Sequence, residues 1–401
     1  MRYRFGDFEL DSDRFELRRK GQSLAAEPQV LSLLLVLAEA GDRLVTKDEI
    51  VEKVWDGRIV SDAAITSRLK SARQLLGDDG DRQEMIRTVR GKGVRFLPEV
   101  KLAGGEPEAA PASSAGEPER EPALPPQQVR FCRAPDGTGL AYSVVGNGPP
   151  LVKSANWLNH LEYEWESPIW RHWLREIAGR HTLLRYDERG NGLSDWKVKE
   201  LTFESFVQDL ETVVDAAGFE TFDLLGISQG CAVSVAYAVK HPERVRRMVL
   251  YGGYAMGWRT RNDPEELAFR ETMLAAIETG WGRDNPAFRQ LFTSLYFPGA
   301  SREEASWFNE LQRVSTSPQG AKALSLVLGA IDVRQLLPDV AVPTMVIHCR
   351  DDCLIPAQAS RYMASKIPGA SFVELDSPNH LVLESEAAWP RLVQHLRAFL
   401  G

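Results

Sequence analysis

Between residues 101 and 128 the chain reads KLAGGEPEAAPASSAGEPEREPALPPQQ, and no single domain can be folded across that stretch. Alanine, proline, glutamate, glycine and serine dominate it, and leucines are its only large apolar residues. Such a segment buries too little surface to offset the entropy of ordering it, so its composition predicts a disordered linker over 100–128. Treated as a flexible coil it would span about 30 Å on average. Two folding units are therefore expected, one over 1–99 and one over 129–401, free to move relative to each other.

Residues 1–99 open with short alternating runs, YRFGDFEL, RFELRRKG and SLAAEP, which predict a small antiparallel sheet. Helical periodicity follows over 27–40, 46–55 and 62–76. Thr46 is placed to cap the second of these helices, with Glu49 at the capping-box position, while Ser61 and Asp62 open the third. MIRTVRGKGVRFLPEV then supplies two short strands around Gly91-Lys92-Gly93, a hairpin. Sheet, three helices and a terminal hairpin is the order of a small α+β winged helix.

The formal charge of −8 excludes a protein coated in basic residues, so charge has to be read by segment. In the third helix Ile65, Leu69, Ala72 and Leu75/Leu76 form the inward stripe, which leaves Arg68, Lys70 and Arg73 for the outer face. The hairpin adds Arg87, Arg90, Lys92 and Arg95, and no acid falls between 85 and 95. A surface that neutralises phosphates needs this asymmetry. By themselves these charges are better read as a merely solvated helix face and hairpin. The run EPQVLSLLLVLAEAGDRLVTKDEIVEKVWDGRIVSDAAITSRLKSARQLLGD…IRTVRGKGVRF, however, resembles the OmpR/PhoB-type winged helix, particularly its ToxR/CadC-like one-component branch. The resemblance covers nearly all of 1–99, and its most specific pieces are Glu49…Val54-Trp55, Val60-Ser61-Asp62 and Ile86 to Gly91. Val94 stands where the wing of that family carries a tyrosine, which should loosen wing packing slightly. The resemblance implies sequence-specific binding to double-stranded DNA, often as a dimer or tandem pair. No receiver domain is expected ahead of this segment, and its signal is expected from residues 129–401.

From 129 onward, near-continuous apolar strands over 151–155, 182–187, 222–227, 247–252, 344–349 and 371–376 alternate with helical segments. That alternation predicts an α/β fold, a parallel sheet covered on both faces. Residues from about 254 to 337 carry helical patterns and no good strand, and read as an inserted helical cap. The strand FDLLGI runs directly into Gly226-Ile227-Ser228-Gln229-Gly230, and the helical CAVSVAYAVKHPERV follows. A serine on such a strand–turn–helix junction sits at a helix N-terminus, where backbone N–H groups favour developing negative charge.

Serine needs a base, and the base needs an orienting acid. Of the histidines after Ser228, His241 falls in a surface loop, His348 lies within an apolar strand, and His395 is on the final helix. His380 follows the last strand, at the sheet end where catalytic groups of open parallel sheets collect. The acid should follow the preceding strand, where Asp351 and Asp352 both stand, Asp352 four residues before Pro356. With YDERGNGLSD and HPERVRRMVLYG, the segment 129–401 resembles the α/β-hydrolase family over essentially its whole length. The resemblance implies a Ser228–His380–Asp352 triad, Asp352 matching the family's GxxDxxxP position, with Asp351 as the alternative. It also implies an oxyanion hole from the N–H of Gln229 and a second N–H after the third strand. The usual His-Gly there becomes Ala155-Asn156, which makes Trp157 the second donor and places Asn156 and His160 where substrate meets the sheet.

Cys132, Cys231, Cys349 and Cys353 form no metal-type pair of pairs and are expected as reduced thiols. The reading calls for no metal or cofactor. No apolar run approaches a membrane span and no signal-peptide core opens the chain, so a cytoplasmic protein is expected. Together these features predict a one-component transcription regulator that senses, and hydrolyses, a small ester- or lactone-like molecule. Two alternatives stay open: a catalytically silent receptor domain, or a hydrolase whose winged helix serves protein interaction. A homodimer would suit paired or palindromic sites.

Overall fold

The computed structural model describes residues 2–12, 16–24, 26, 28–55, 62–78, 82–89, 92–98, 100–102 and 127–401. The chain divides into two units, residues 1–116 and 117–401. Most of the linker expected from composition, 103–126, lies outside the described residues.

The first unit starts with four antiparallel strands, β1 (Arg2–Phe5), β2 (Phe8–Asp11), β3 (Glu16–Arg19) and β4 (Gln22–Leu24). Three helices follow, α1 (Pro28–Ala40), α2 (Lys47–Trp55) and α3 (Asp62–Leu76), with the short β5 (Leu44–Val45) between the first two. Thr46 Oγ1 accepts from the N–H of Glu49, as its capping position requires, but the Glu49 carboxylate turns to Arg43 at 2.6 Å. The hairpin of β6 (Ile86–Val89) and β7 (Gly93–Phe96) pairs with β5. Phe96 meets Phe5 edge to face at 5.0 Å, so hairpin and sheet share one core. Val94 is buried against that core, opposite Val45 in the register. One boundary differs from the sequence expectation. Lys101–Leu102 forms β8, which extends the sheet by pairing with β1, because Leu102 stands across from Tyr3.

The second unit is an eight-stranded sheet built from β9 (Val129–Arg133), β10 (Gly139–Val145), β11 (Pro150–Lys153), β12 (Thr182–Tyr186), β13 (Phe222–Ile227), β14 (Val245–Tyr251), β15 (Thr344–Cys349) and β16 (Ser371–Leu375). The strand order is β16-β15-β14-β13-β11-β12-β10-β9, parallel from β16 to β12 and antiparallel at the β10–β9 edge. β13 and β15 are buried at every position, which explains why they read as near-continuous apolar runs. Helices α4 (Leu161–Trp165), α5 (Arg171–Ala178), α6 (Phe203–Ala217) and α7 (Gly230–Lys240) connect the early strands. Four more, α8 (Pro264–Gly280), α9 (Ala287–Tyr296), α10 (Arg302–Ser315) and α11 (Pro318–Ala330), stand between β14 and β15. α12 (Ala357–Lys366) and α13 (Ala388–Leu400) complete the unit. Among the described residues no helix is long and apolar enough to cross a membrane.

The start of this unit also differs from expectation. Gln127, ahead of the first strand, donates to Leu161 O at 3.0 Å, and its side-chain oxygen accepts from Ser143 Oγ and Arg185. Arg185 is itself buried and paired with Glu164 at 2.8 Å.

Candidate functional site

The junction of β13 and α7 holds Ser228 at φ +55°, a left-handed conformation that a side-chain-bearing residue adopts only under constraint. The constraint is close packing. A Cβ on Gly226 would lie 2.6 Å from Ser234 Oγ and 2.8 Å from Cys231 Cα, and one on Gly230 would lie 2.7 Å from Ala155 O. The Ser228 N–H donates to Tyr251 O at 2.9 Å, which ties the turn to β14.

His380 lies in the loop after β16, its backbone N–H donating to Tyr296 O at 2.7 Å and its ring set edge-on to Tyr296. Its Nδ1 is 2.6 Å from Asp352 Oδ2. Asp352 follows β15, and its Oδ1 accepts from the N–H groups of Leu354 and Ile355 at 2.8 and 3.1 Å. Burial alone would raise the pKa of this carboxyl, but His380 and His348 outweigh that and hold it well below the usual carboxylate range. Asp351 is exposed and makes no such contact with His380 in the structure. His380 Nε2 is buried and has no hydrogen-bond partner among the described residues.

Two cavities meet at Trp157, Ser228 and Tyr296. The larger encloses about 450 Å³ of empty space, part of it open to solvent, and is lined further by Tyr254, Trp258 and two arginines of the segment after β14. The smaller reaches Asn156, His380, Phe297 and Phe308. Of the aromatic residues between β14 and β15, Tyr254, Trp258, Tyr296, Phe297 and Phe308 therefore face cavities. Trp281 stacks on Trp157 at 6.0 Å and Trp307 on Tyr163 at 4.7 Å, packing the inserted helices onto the loop after β11 and onto α4.

Three expected roles meet different surroundings. The Trp157 N–H donates to the Gln229 side-chain oxygen at 2.7 Å, so it is already engaged rather than open to an oxyanion. The Gln229 amide reaches across because its nitrogen is held by Glu188 at 3.0 Å. His160 lines neither cavity: its Nδ1 caps α4 by accepting from Tyr163 N–H, and burial draws its pKa down to about 4. Asn156 does line the smaller cavity, while its Oδ1 accepts from buried Lys153 at 2.5 Å. His348 was expected merely as a buried strand residue, yet its Nε2 is 3.3 Å from Asp352 Oδ2. Its spacing of four from Asp352 was the available signal.

Burial pushes the Glu188 carboxyl up to about 8, with Asp209 adding to it. The folded chain thus keeps this proton where an unfolded chain, with an ordinary value near 4.5, has lost it. Its contribution to stability is present below about pH 4.5 and lost as pH rises towards 8. In Glu188→Gln, denaturant midpoints measured across that window should decline less steeply than in the unmodified chain. An unchanged slope would place the titration elsewhere.

On the first unit, α3 exposes Thr66, Ser67 and Lys70, and the hairpin exposes Arg87 and Lys92. Arg90 lies outside the described residues. The other basic candidates bond within their own unit. Arg73 donates to Ile86 O at 3.0 Å and Thr88 Oγ1 at 2.7 Å, Arg68 to Gln29 at 2.8 Å, and Arg95 to Asp42. A long guanidinium stem on the flank of α3 can reach the carbonyl of β6, so Arg73 staples the helix to the hairpin. Lys70→Ala should weaken DNA binding and reduce its salt slope by about one. Arg73→Ala should instead cost the fold about 1–2 kcal/mol. Salt-dependent binding isotherms and urea melts separate the two, and a salt slope unmoved by Lys70→Ala would remove that residue from the interface.

Comparison with known proteins adds two family matches. Residues 161–387, more than half of the chain, match the family described as alpha/beta hydrolase fold. Residues 21–96 match the family described as transcriptional regulatory protein, C terminal. The pyrrolizixenacetamide deacetylase of Xenorhabdus hominickii is 27% identical over 269 residues, covering 65% of this chain and 94% of its own. The pimeloyl-[acyl-carrier protein] methyl ester esterase of Nitrosomonas europaea is 26% identical over 233 residues, covering 57% of this chain and 87% of its own. The solved enol-lactonase of Burkholderia xenovorans superposes with a TM-score of 0.56 at 23% identity, over 68% of this chain and 99% of its own, a likeness of fold.

Proposed function

The chain belongs to the alpha/beta hydrolase fold family and carries a transcriptional-regulator domain ahead of it, and on that premise we propose a DNA-binding regulator whose second unit senses and hydrolyses a small ester- or lactone-like molecule. One observation carries the reading. His380 is tied to Asp352 through Nδ1 at 2.6 Å and keeps Nε2 unpartnered, on a cavity it shares with the left-handed Ser228.

In this reading Ser228 Oγ attacks the carbonyl carbon while its proton passes to His380 Nε2. The carbonyl π electrons move onto oxygen, which the Gln229 N–H stabilises at the start of α7. Collapse of that tetrahedral intermediate breaks the bond to the alcohol oxygen, which leaves with the proton from His380. Water, deprotonated by His380, then attacks the acyl-serine and releases the acid and free Ser228. Asp352 holds the imidazole in the required tautomer and stabilises its protonated form throughout. The names of the relatives, an esterase and a deacetylase, support acyl transfer as the reaction class.

A silent receptor is favoured by one specific observation, the Trp157 N–H held by Gln229. A fluorophosphonate probe and a panel of esters and lactones on the full-length chain separate the readings. Labelling of Ser228 with turnover of any panel member supports the hydrolase; a Ser228 that neither labels nor turns over while ligand still alters DNA binding leaves the receptor. Loss of sequence-specific, salt-sensitive binding to duplex DNA would sink both.

A further inference from the structure

The larger cavity is aromatic and apolar apart from Ser228, Gln229, Ser325 and two guanidinium groups, Arg261 and Arg270, and no carboxylate lines it. Both arginines come from the segment between β14 and β15, the second of them on α8. Each is held by backbone. Arg261 Nε donates to Met256 O at 2.9 Å, and Arg270 Nη2 donates to Leu354 O at 3.0 Å, two residues from Asp352 in the same loop. One carboxylate serves them both: Glu266 lies 3.0 Å from Arg261 and 3.5 Å from Arg270. Two cations against one anion leave a positive charge uncompensated beside the cavity. Arg270 Nε is buried and has no acceptor among the described residues.

A purely structural pair would not need this arrangement. A single bond, from Arg270 to Leu354 O, already ties α8 to the Asp352 loop, and a guanidinium whose task is finished rarely keeps a buried donor unsatisfied. A planar fork fixed in place with spare donors suits a carboxylate, which accepts two parallel N–H bonds. The aromatic remainder of the wall, with Tyr254, Trp258 and Tyr296, suits the apolar body of the same molecule.

We propose that this cavity takes an acidic ester, a molecule with a free carboxylate held by Arg270 and Arg261 while its ester or lactone carbonyl faces Ser228, and that Glu266 is the internal anion it competes with. The placing of the ester carbonyl at Ser228 rests on the hydrolase reading; the carboxylate subsite and its competition with Glu266 do not, and binding tests them alone. The probes are the monomethyl esters of the straight-chain diacids from malonate to suberate, each against its neutral dimethyl ester. They are titrated calorimetrically into the full-length Ser228→Ala chain, so that nothing is turned over.

At least one monomethyl ester should bind about ten- to a hundredfold more tightly than its diester, the range expected of charge-assisted hydrogen bonds. Arg270→Leu should bring that ester down to the level of the diester. Glu266→Gln should tighten it further, a gain that misfolding of α8 does not produce. The proposal is overturned if no monomethyl ester exceeds its diester, or if the preference survives Arg270→Leu. Fluorophosphonate labelling of the unmodified chain reports on the hydrolase reading separately. Labelling without an acid preference sinks the subsite alone, and an acid preference without labelling sinks hydrolysis alone.

Discussion

Ser228→Ala should lower ester turnover on the order of a millionfold, the loss typical of deleting a serine nucleophile, with the residue of rate left to binding and oxyanion stabilisation. The protein should remain folded. Alanine places the same Cβ at φ +55°, so the strain of the junction is neither relieved nor deepened. Ser228→Gly goes further in one direction: without a Cβ the left-handed turn costs nothing, and stability should rise by about 1 kcal/mol while turnover stays lost. Steady-state kinetics and urea melts on both variants check the pair of effects. A Ser228→Ala chain that still hydrolyses within tenfold of the original would remove Ser228 from the chemistry.

Asp352→Asn should cost about four powers of ten in kcat with the fold intact. The geometry dictates how the amide must sit. Leu354 and Ile355 both donate to Oδ1, so the asparagine oxygen has to occupy that position. Its NH₂ group then faces His380 Nδ1, at the place where Oδ2 now lies 2.6 Å away. Two donors cannot face each other, so the imidazole keeps a lone pair on Nδ1 and carries its proton on Nε2. A protonated Nε2 cannot accept the proton of Ser228. His348, 3.3 Å from the same oxygen, would meet a donor as well, so a second histidine is disturbed with the first. Crystals of the variant should show both rings in place. Turnover within tenfold of the original would mean that Asp352 orients nothing.

The fold was legible in the sequence where one physical signal had one solution. β13 and β15 are buried throughout and read as apolar runs, and the close packing at Gly226 and Gly230 leaves only glycine at those positions. Ser228, Asp352 and His380 could be picked out because each stands at the end of a strand, where chain order and loop position restrict the choice. Between Asp351 and Asp352, the place four residues before Pro356 favoured Asp352 and left Asp351 open; which carboxyl the loop turns inward is a property of the fold, and there Asp352 is the one buried against His380. Long side chains were the least legible. Arg73, Arg68 and Arg95 looked like a phosphate-facing set, but a flexible guanidinium can fold back onto its own domain, and all three do. Gln229 is the same case within the site: nothing local to GISQG indicates that its side-chain oxygen spans to the Trp157 N–H. Arg261 and Arg270 are separated from Ser228 by more than thirty positions of sequence, and only the path of the chain after β14 brings them to its cavity.

Gln127 determines where the protein can be cut. Composition alone puts the knife at residue 129, immediately before the first strand of the sheet. A fragment starting there would lose the side chain that accepts from Arg185 and Ser143 and donates to Leu161 O. Arg185 would stay buried against Glu164 with one donor stranded, a penalty of about 1–3 kcal/mol that has nothing to do with either domain's chemistry. Dissection of the two halves should therefore leave Gln127 with the hydrolase half, and a fragment begun at 129 that melts early is a fault of the incision rather than a sign that the halves depend on each other.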